Sequence, residues 1–527
     1  MRLLVLLLLF WGGQAWSGLE PLTPLKKANY LSLPDSRDID HYLFTLAEHS
    51  DRARMVHIGT SAGGRPVHAL LMSSSPAFMR HYRPEPGKAT VLVLAAQHGN
   101  EPAGAEAVQQ LAQELTLGRH EALLKRLNLV LVAMANPDGR DLSRRHNAND
   151  ENTNIDYVAL NAGETRLLVN TLQSFDPDLV YDAHESGIWK RVLTREQGWL
   201  TDVEVQFEVG NNPNIDARLQ DYTAGFLLPA LISKVSEAGV RAEAYRGEIT
   251  QLGQRVARGG LGITNLRNYA AMQGRVSVLV ESRLDNKSGS YATPRNIAER
   301  VRKQHLALLS LLQLAATDSR RLMAVSRQAR AQWQSAGADR SLSMDVHFAR
   351  NHAEPEVRLP LVRLSSGERR YHEFVNYNAI VAGEQVLLPP AYAITRERER
   401  MARWLERHHI RFMTLRAPQD VRAERILIEA LQPQPRIKPG VREKWRVQAR
   451  TEAGELRLGP GDILVPMDQP LGPLAAMMLD PRSANALYQE AGWRWLKPGP
   501  FPVFPVNPGK ARYSTSQDSG DLVTAAP

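Results

Sequence analysis

One stretch constrains the fold of this chain more than any other: TVLVLAAQHGNEPAGAEAVQQLAQEL, from Thr90 to Leu115. An unbroken apolar run, Val91 to Ala96, stops at Gln97-His98-Gly99-Asn100-Glu101. Pro102 then opens a helical pattern rich in Ala, Gln and Leu, and Pro suits a first helical position because its missing N–H would go unpaired there. The stretch therefore reads as buried strand, short turn, helix. Open α/β sheets place their ligands at the carboxyl ends of strands, where His98 and Glu101 fall. A His and a carboxylate three residues apart can both reach one metal ion.

The same pattern recurs. Residues 128–139 (NLVLVAMANPDG), 177–186 (PDLVYDAHES) and 274–283 (GRVSVLVESR) each read as an apolar strand ending in polar groups. Helical patterns at 163–174 and 221–237 separate them, and DSRDIDHYLFTLAEHS before residue 50 is amphipathic. Two short strands flank the turn residues Ser61 to Arg65. Apolar strands alternating with helices predict an α/β domain whose largely parallel sheet is covered on both faces. Residues 296–334 read as charged helix. From Ser343 onward the apolar runs shorten and turn signals multiply, which predicts a smaller, strand-rich C-terminal domain with one helix near residues 397–409. The expected division is 1–15, 20–320, 343–508 and a small, polar, disordered tail at 509–527.

Composition narrows the chemistry. A chain of 527 residues, 43% hydrophobic and 23% charged, has room for two or three domains. Met1-Arg2, the run LLVLLLLFW and then Gly13-Gln14-Ala15 read as a secretory leader, since the apolar run is about half the roughly 20 residues that span a bilayer. The chain is thus expected to be exported, periplasmic or secreted, without stable membrane insertion after leader removal. There are no cysteines, so disulfides, thiol catalysis and Cys-ligated zinc are excluded and any metal is held by His and carboxylate. The net charge of +9 comes from scattered Arg rather than basic blocks with aromatics, and no nucleic-acid partner is expected.

The polar groups at strand ends form a set. His98 and Glu101 end the first strand, His184 the third and Glu281 the fourth. Two His and one carboxylate make the ligand set of an open catalytic zinc site, with one position left for water. Glu281 is then unspent and available as proton acceptor and donor. Strand alternation puts Asp182 on the face of His184 and Glu185 on the other.

In His98-Gly99-Asn100-Glu101, Asn136-Pro137-Asp138-Gly139, His184 and Leu279-Val280-Glu281-Ser282-Arg283, taken in that order, the chain resembles the zinc carboxypeptidases related to carboxypeptidase A, over about residues 40 to 315. LRNYAAMQGRVSVLVES resembles the approach to the general base in bacterial members. PAYAI and DQPLGPLAAMMLDPRS resemble a C-terminal domain that some of them carry. The resemblance implies one zinc ion on His98, Glu101 and His184, Glu281 as general base, and a mixed, mostly parallel sheet with helices on both faces. It implies that zinc-activated water hydrolyses a peptide bond, and that Arg145, ahead of its competitor Arg144, polarises the carbonyl.

The chain departs from the family where substrate is gripped. Family members carry Asp-x-Asn-Arg between the glutamate and the second histidine, and its Asn and Arg hold the substrate carboxylate. Here the segment is Asn152-Thr153-Asn154-Ile155. Asn154 is kept as a substrate-binding residue, but Ile155 cannot make the charge-assisted contact of an Arg. Asn152 can still accept from an imidazole N–H. Arg267 is the expected stand-in for the missing clamp, with Tyr269, or Tyr245, closing over substrate. His352, His372, His408 and His409 match no ligand motif and are expected at the surface. ARGGLG at 257–262 follows no strand and is no phosphate cradle. No Gly-x-Ser-x-Gly elbow is present. Besides the carboxypeptidase reading stand a zinc amidohydrolase on a cell-wall peptide or acylated amino acid, and a catalytically silent binding protein. Side-chain preference and oligomeric state are not encoded in any of these motifs.

Overall fold

The computed structural model describes residues 21–187, 189–284, 296–332, 340–434, 444–490 and 492–507, so the expected leader and tail lie outside it. Ten strands matter for the site: β1 (Ala53–Thr60), β2 (Pro66–Met72), β3 (Ala89–Ala95), β4 (Leu127–Val132), β5 (Leu179–Gly187), β6 (Trp199–Thr201), β7 (Val205–Val209), β8 (Ala242–Ala244), β9 (Arg255–Val256) and β10 (Val276–Leu284). Eight of them form one sheet in the order β1-β2-β4-β3-β5-β10-β7-β8. The β3–β4, β3–β5, β5–β10 and β7–β8 pairings are parallel. The β1–β2, β2–β4 and β7–β10 pairings are antiparallel, so the sheet is mixed with a parallel centre. Every residue of β3 and β4 is buried, as unbroken apolar strands require when both faces are covered.

Helices Ser36–Glu48, Ala103–Thr116 and Ile297–Thr317 pack together on one face. Gly163–Phe175 and Leu266–Met272 lie on the other. Between the faces a buried ion pair ties the first helical layer to the sheet. Glu185 turns away from His184, as alternation predicts, and receives Arg300 at 2.7 Å and the Ala103 N–H at 3.0 Å. No helix among the described residues is long and apolar enough to cross a membrane.

The region after Ser341 is strand-rich, and it does not stand apart. Its helix Arg398–Arg407 packs on Gly163–Phe175, and a second helix, Gly472–Leu479, packs on Leu266–Met272. Every residue of that second helix is buried, which explains why it carries no amphipathic period to read. The hairpin Glu356–Arg363 and Arg369–Asn376 joins β6 on one side and β9 on the other, making a four-stranded sheet shared between the two regions. One hydrophobic core runs through both, from Val91 and Leu94 to Tyr392 and Phe504.

One expectation needs correcting at this contact. His408 is not a surface residue: it is 0% exposed. It caps the Arg398–Arg407 helix on the side facing the first region. Its Nε2 lies 3.1 Å from the Val158 carbonyl, beside the Trp404 Nε1–H at 2.9 Å from the same oxygen. Its Nδ1 lies 2.9 Å from the Tyr269 hydroxyl. His409 is exposed as expected.

Candidate active site

The turn after β3 is built by backbone packing as much as by side chains. Ala96 adopts φ +54°, a left-handed conformation that costs a non-glycine residue energy and recurs at functional sites. A Cβ on Gly99 would lie 1.9 Å from the Gly139 carbonyl carbon, so the two motifs His98-Gly99-Asn100-Glu101 and Asn136-Pro137-Asp138-Gly139 fit only because position 99 has no side chain. Asn136 caps Gly139 N–H at 2.9 Å and donates to the Gln97 carbonyl at 3.3 Å. Asp138 in turn accepts the Gly63 N–H and Arg65, pinning the β1–β2 turn to the same place.

Three side chains converge here. His98 Nδ1 is 3.0 Å from Glu101 Oε1, His184 Nδ1 is 3.0 Å from Glu101 Oε2, and the two Nδ1 atoms are 3.1 Å apart. One donor atom from each of the three lies within 4.8 Å of the others, and all three residues are buried. Two imidazole lone pairs and a carboxylate facing one another in a buried space are the donor set of a cation site, and the residues fit zinc. The remaining nitrogens are held by oxygens. His98 Nε2 is 3.2 Å from Asn152 Oδ1, and His184 Nε2 is 3.0 Å from Asp182 Oδ1. Asp182 Oδ1 also accepts from Gln97 Nε2 at 2.6 Å, and Gln97 Oε1 accepts the Tyr157 hydroxyl at 2.8 Å. Such partners fix the tautomer and orientation of a ligating His. Burial opposes charge on Glu101, but His98 and His184 outweigh it and hold the carboxyl well below its usual range. Burial likewise opposes protonation of His184, yet Asp182 and Glu101 raise its pKa well above the usual value.

Glu281 is the register partner of His184 across the parallel β5–β10 pair, so the two share a face of the sheet. Along β10 the residues Leu279, Glu281 and Arg283 are half-buried while their neighbours are buried. One face of a central strand therefore fronts an open cleft, and Glu281 stands in it. Burial is the main force pushing its carboxyl up, to about 8, with His184 and Arg145 opposing and Glu101 and Asp182 assisting.

The other expected residues divide. Arg145, 48% exposed at the mouth, holds Glu101 Oε1 at 2.9 Å, while Arg144 is exposed. Asn154 Nδ2 lies 3.4 Å from His184 Nε2, and its Oδ1 is buried without a partner. Ile155, where the family keeps an Arg, is 57% exposed. Tyr269 faces the second region and not the cleft: it is fully buried, packed on Tyr157 and bonded to His408. Tyr245 is the tyrosine near Glu281, and burial, then that carboxylate, raises its pKa. Arg267 is 4% exposed. Its Nη2 donates to the Gly260 carbonyl at 2.6 Å and to Asn211 Oδ1 at 3.1 Å, and its Nε is buried with no partner.

The sequence excludes a phosphate cradle at 257–262 but does not disclose that the loop 257–265, ARGGLGITN, walls the space around Arg267. Its backbone is satisfied almost wholly by asparagines. Asn211 donates to the Gly259 carbonyl at 2.6 Å, Asn212 to Leu261 at 2.8 Å, and Asn268 to Gly260 and Gly262 at 3.0 Å each. Asn378 accepts the Arg258 N–H at 2.7 Å and Asn485 the Ile263 N–H at 2.9 Å, both from the second region. Glu208, on β7, accepts the Gly259 N–H at 3.0 Å and the Arg258 guanidinium. A Cβ on Gly259 would strike Arg267 Nη1 at 2.2 Å, so this glycine admits the guanidinium.

Comparison with known proteins agrees with the metal end of this site. Residues 39–184, the segment that supplies His98, Glu101 and His184, match the family described as zinc carboxypeptidase. Glu281 and the strand-rich region lie beyond the match. Carboxypeptidase 2 of Trichophyton rubrum is 25% identical over 187 residues, 35% of this chain and 34% of that protein. A probable carboxypeptidase 2 of Arthroderma benhamiae is 25% identical over 227 residues, 42% of this chain and 43% of that protein. The chain thus spans between a third and a half of the length of these relatives. Among solved structures, a metallo-carboxypeptidase from Burkholderia cenocepacia aligns with 17% identity over 54% of this chain and 71% of that one, at a TM-score of 0.41.

Proposed function

We propose that this protein is a zinc-dependent metallocarboxypeptidase that hydrolyses a peptide bond near the C-terminus of its substrate. The convergence of His98, Glu101 and His184, with Glu281 as the register partner of His184, carries the reading. His98, Glu101 and His184 would hold one zinc ion, which would supply Lewis acidity toward a carbonyl and water. In its ionised form Glu281 accepts the proton of the attacking water and delivers it to the leaving amine as the C–N bond breaks. Arg145, at the mouth of the cleft, offers N–H donors to the oxyanion that develops. Asn154 and Arg267 meet the substrate's terminal carboxylate. Asn152 and Asp182 hold the two imidazoles in place.

Export agrees with the basic, apolar and small-residue start of the chain, and a peptide is the expected partner. The test compares peptides with free and amidated C-termini, with and without chelator. The reading predicts chelator-sensitive release of the last residue from free peptides, reduced many-fold by amidation. Equal cleavage of both would replace the carboxypeptidase with the amidohydrolase reading, which the exposed Ile155 motivates. Zinc binding without hydrolysis would leave a binding protein.

A further inference from the structure

Two buried side chains behind the metal site have no part in the chemistry above. Gln97 and Tyr157 are each 0% exposed. They stand in one line of donors and acceptors that ends on His184. The Tyr157 hydroxyl donates to Gln97 Oε1 at 2.8 Å, and Gln97 Nε2 donates to Asp182 Oδ1 at 2.6 Å. That same oxygen lies 3.0 Å from His184 Nε2.

The line runs in one direction only. A carboxylate offers acceptors and no donor, so the end of the Gln97 amide that faces Asp182 is its NH2 group. The other end is therefore an oxygen, and it takes the Tyr157 O–H. Asp182 likewise has only lone pairs to offer His184, so Nε2 is the nitrogen that carries hydrogen. Nδ1 keeps the lone pair, and Nδ1 is the atom 3.0 Å from Glu101 Oε2 and 3.1 Å from His98 Nδ1.

Both ends of the line are anchored, and the middle is not. Gln97 follows the bend at Ala96, φ +54°, and its carbonyl accepts Thr153 Oγ1 at 2.8 Å and Asn136 Nδ2 at 3.3 Å. The Tyr157 N–H is bonded to the Thr264 carbonyl at 3.1 Å, and its ring packs on Tyr269 with centroids 5.3 Å apart. Asp182 Oδ2, by contrast, is buried without a partner. Gln97 and His184 are the hydrogen-bond partners of the Asp182 side chain among the described residues. Without the Gln97 N–H this carboxylate is free to turn about its own side chain, and the imidazole that rests on it is free to turn as well.

We propose that Gln97 and Tyr157 are positioning residues for the metal. The Tyr157 hydroxyl sets the orientation of the Gln97 amide, the amide holds the Asp182 carboxylate, and the carboxylate presents His184 Nδ1 to the ion. The inference rests on the zinc reading of the site and extends it to two residues that are not ligands. Groups that orient a ligating His in this way govern metal affinity without touching the metal.

The experiment compares the native protein with Tyr157→Phe, Gln97→Met and the double variant. Zinc affinity is read by competition with a chelator, ligand geometry by the visible absorption of the cobalt(II)-loaded proteins, and stability by denaturant unfolding of the metal-free proteins. Tyr157→Phe keeps the ring and its packing and removes only the O–H. Gln97→Met leaves that hydroxyl buried without an acceptor, and the double variant removes it, so the double variant should regain stability relative to Gln97→Met. Zinc affinity should fall about tenfold in Tyr157→Phe and about 10- to 100-fold in Gln97→Met, with the cobalt bands displaced in both. In the double variant affinity should stay low although stability returns. Native affinity and native cobalt bands in Tyr157→Phe, or an affinity that recovers with stability in the double variant, overturn the proposal. The two readings fail differently. A native protein that binds no zinc removes the metal site and the proposal with it. Zinc bound equally by the native protein and all three variants leaves the metal site and removes the proposal.

Discussion

The two halves of the cleft are held in place by different means. The metal-binding half hangs on the sheet. His98 follows β3, which is buried throughout, and His184 and Glu281 are partners across β5 and β10. The substrate half hangs on a loop with no regular structure. Its peptide groups are met one by one by Asn211, Asn212, Asn268, Asn378 and Asn485, and by Glu208. A ladder fixes geometry through many equivalent bonds and tolerates the loss of one. A loop satisfied by single side chains depends on each, because a buried peptide group left unpaired costs about 1–3 kcal/mol. The metal half should therefore be the harder to perturb from a distance, and the substrate half should answer to residues of the second region.

That contrast can be broken in several ways. The largest effect belongs to Glu281→Gln, which keeps shape and removes the base. We expect kcat to fall by about 10²- to 10⁴-fold with zinc content unchanged. An active Gln variant, seen in any steady-state assay, would remove Glu281 from its role. Asp182→Asn comes next: it weakens the oxygen partner of His184 Nε2, and metal affinity or activity should drop about 10- to 100-fold, read by competition with a chelator. An unchanged affinity would mean that the sheet alone orients His184.

Asn485→Ala probes the other half. It leaves the Ile263 N–H without its acceptor, so KM should rise several-fold while kcat and zinc content hold; a fall in zinc content instead would show that the two halves are not separable. A pH dependence tests the contact between the two regions through stability instead of catalysis. Burial, helped by His409 and Arg407, drives the His408 pKa down to about 3, against the Val158 carbonyl that favours the charged ring. In an unfolded chain the value is about 6.5. The folded group is therefore neutral where the unfolded one is charged. Its stability contribution is complete above about pH 6.5 and is lost as pH falls toward 3, at up to about 1.4 kcal/mol per unit. Denaturant titrations at several pH values should show this slope, flattened in His408→Gln.

The same contrast explains what the sequence disclosed. Strand–turn–helix units carry periodicity, and the polar groups that interrupt apolar strands at their ends are conspicuous, so His98, Glu101, His184 and Glu281 were legible together with the sheet. Asp182 followed from strand alternation, and Asn152 from the resemblance to the family's Asp-x-Asn-Arg segment. The Glu185–Arg300 pair, the all-apolar helix Gly472–Leu479 and the buried His408 were not, since each depends on a partner distant in the chain. The loop 257–265 is the clearest case. Asn378 and Asn485 are 120 and 222 residues from the groups they satisfy, and isolated asparagines announce nothing about such partners. Tyr269 shows the reverse failure: a tyrosine in the right segment, spent on the contact with the second region.

Zinc content tests the central claim most directly. After chelation and reloading, the native protein and Arg267→Gln should each hold about one zinc ion, and His184→Ala should hold none under the same conditions. Zinc retained by His184→Ala, or lost from Arg267→Gln, would contradict the division of the cleft into a metal half on the sheet and a substrate half on the loop.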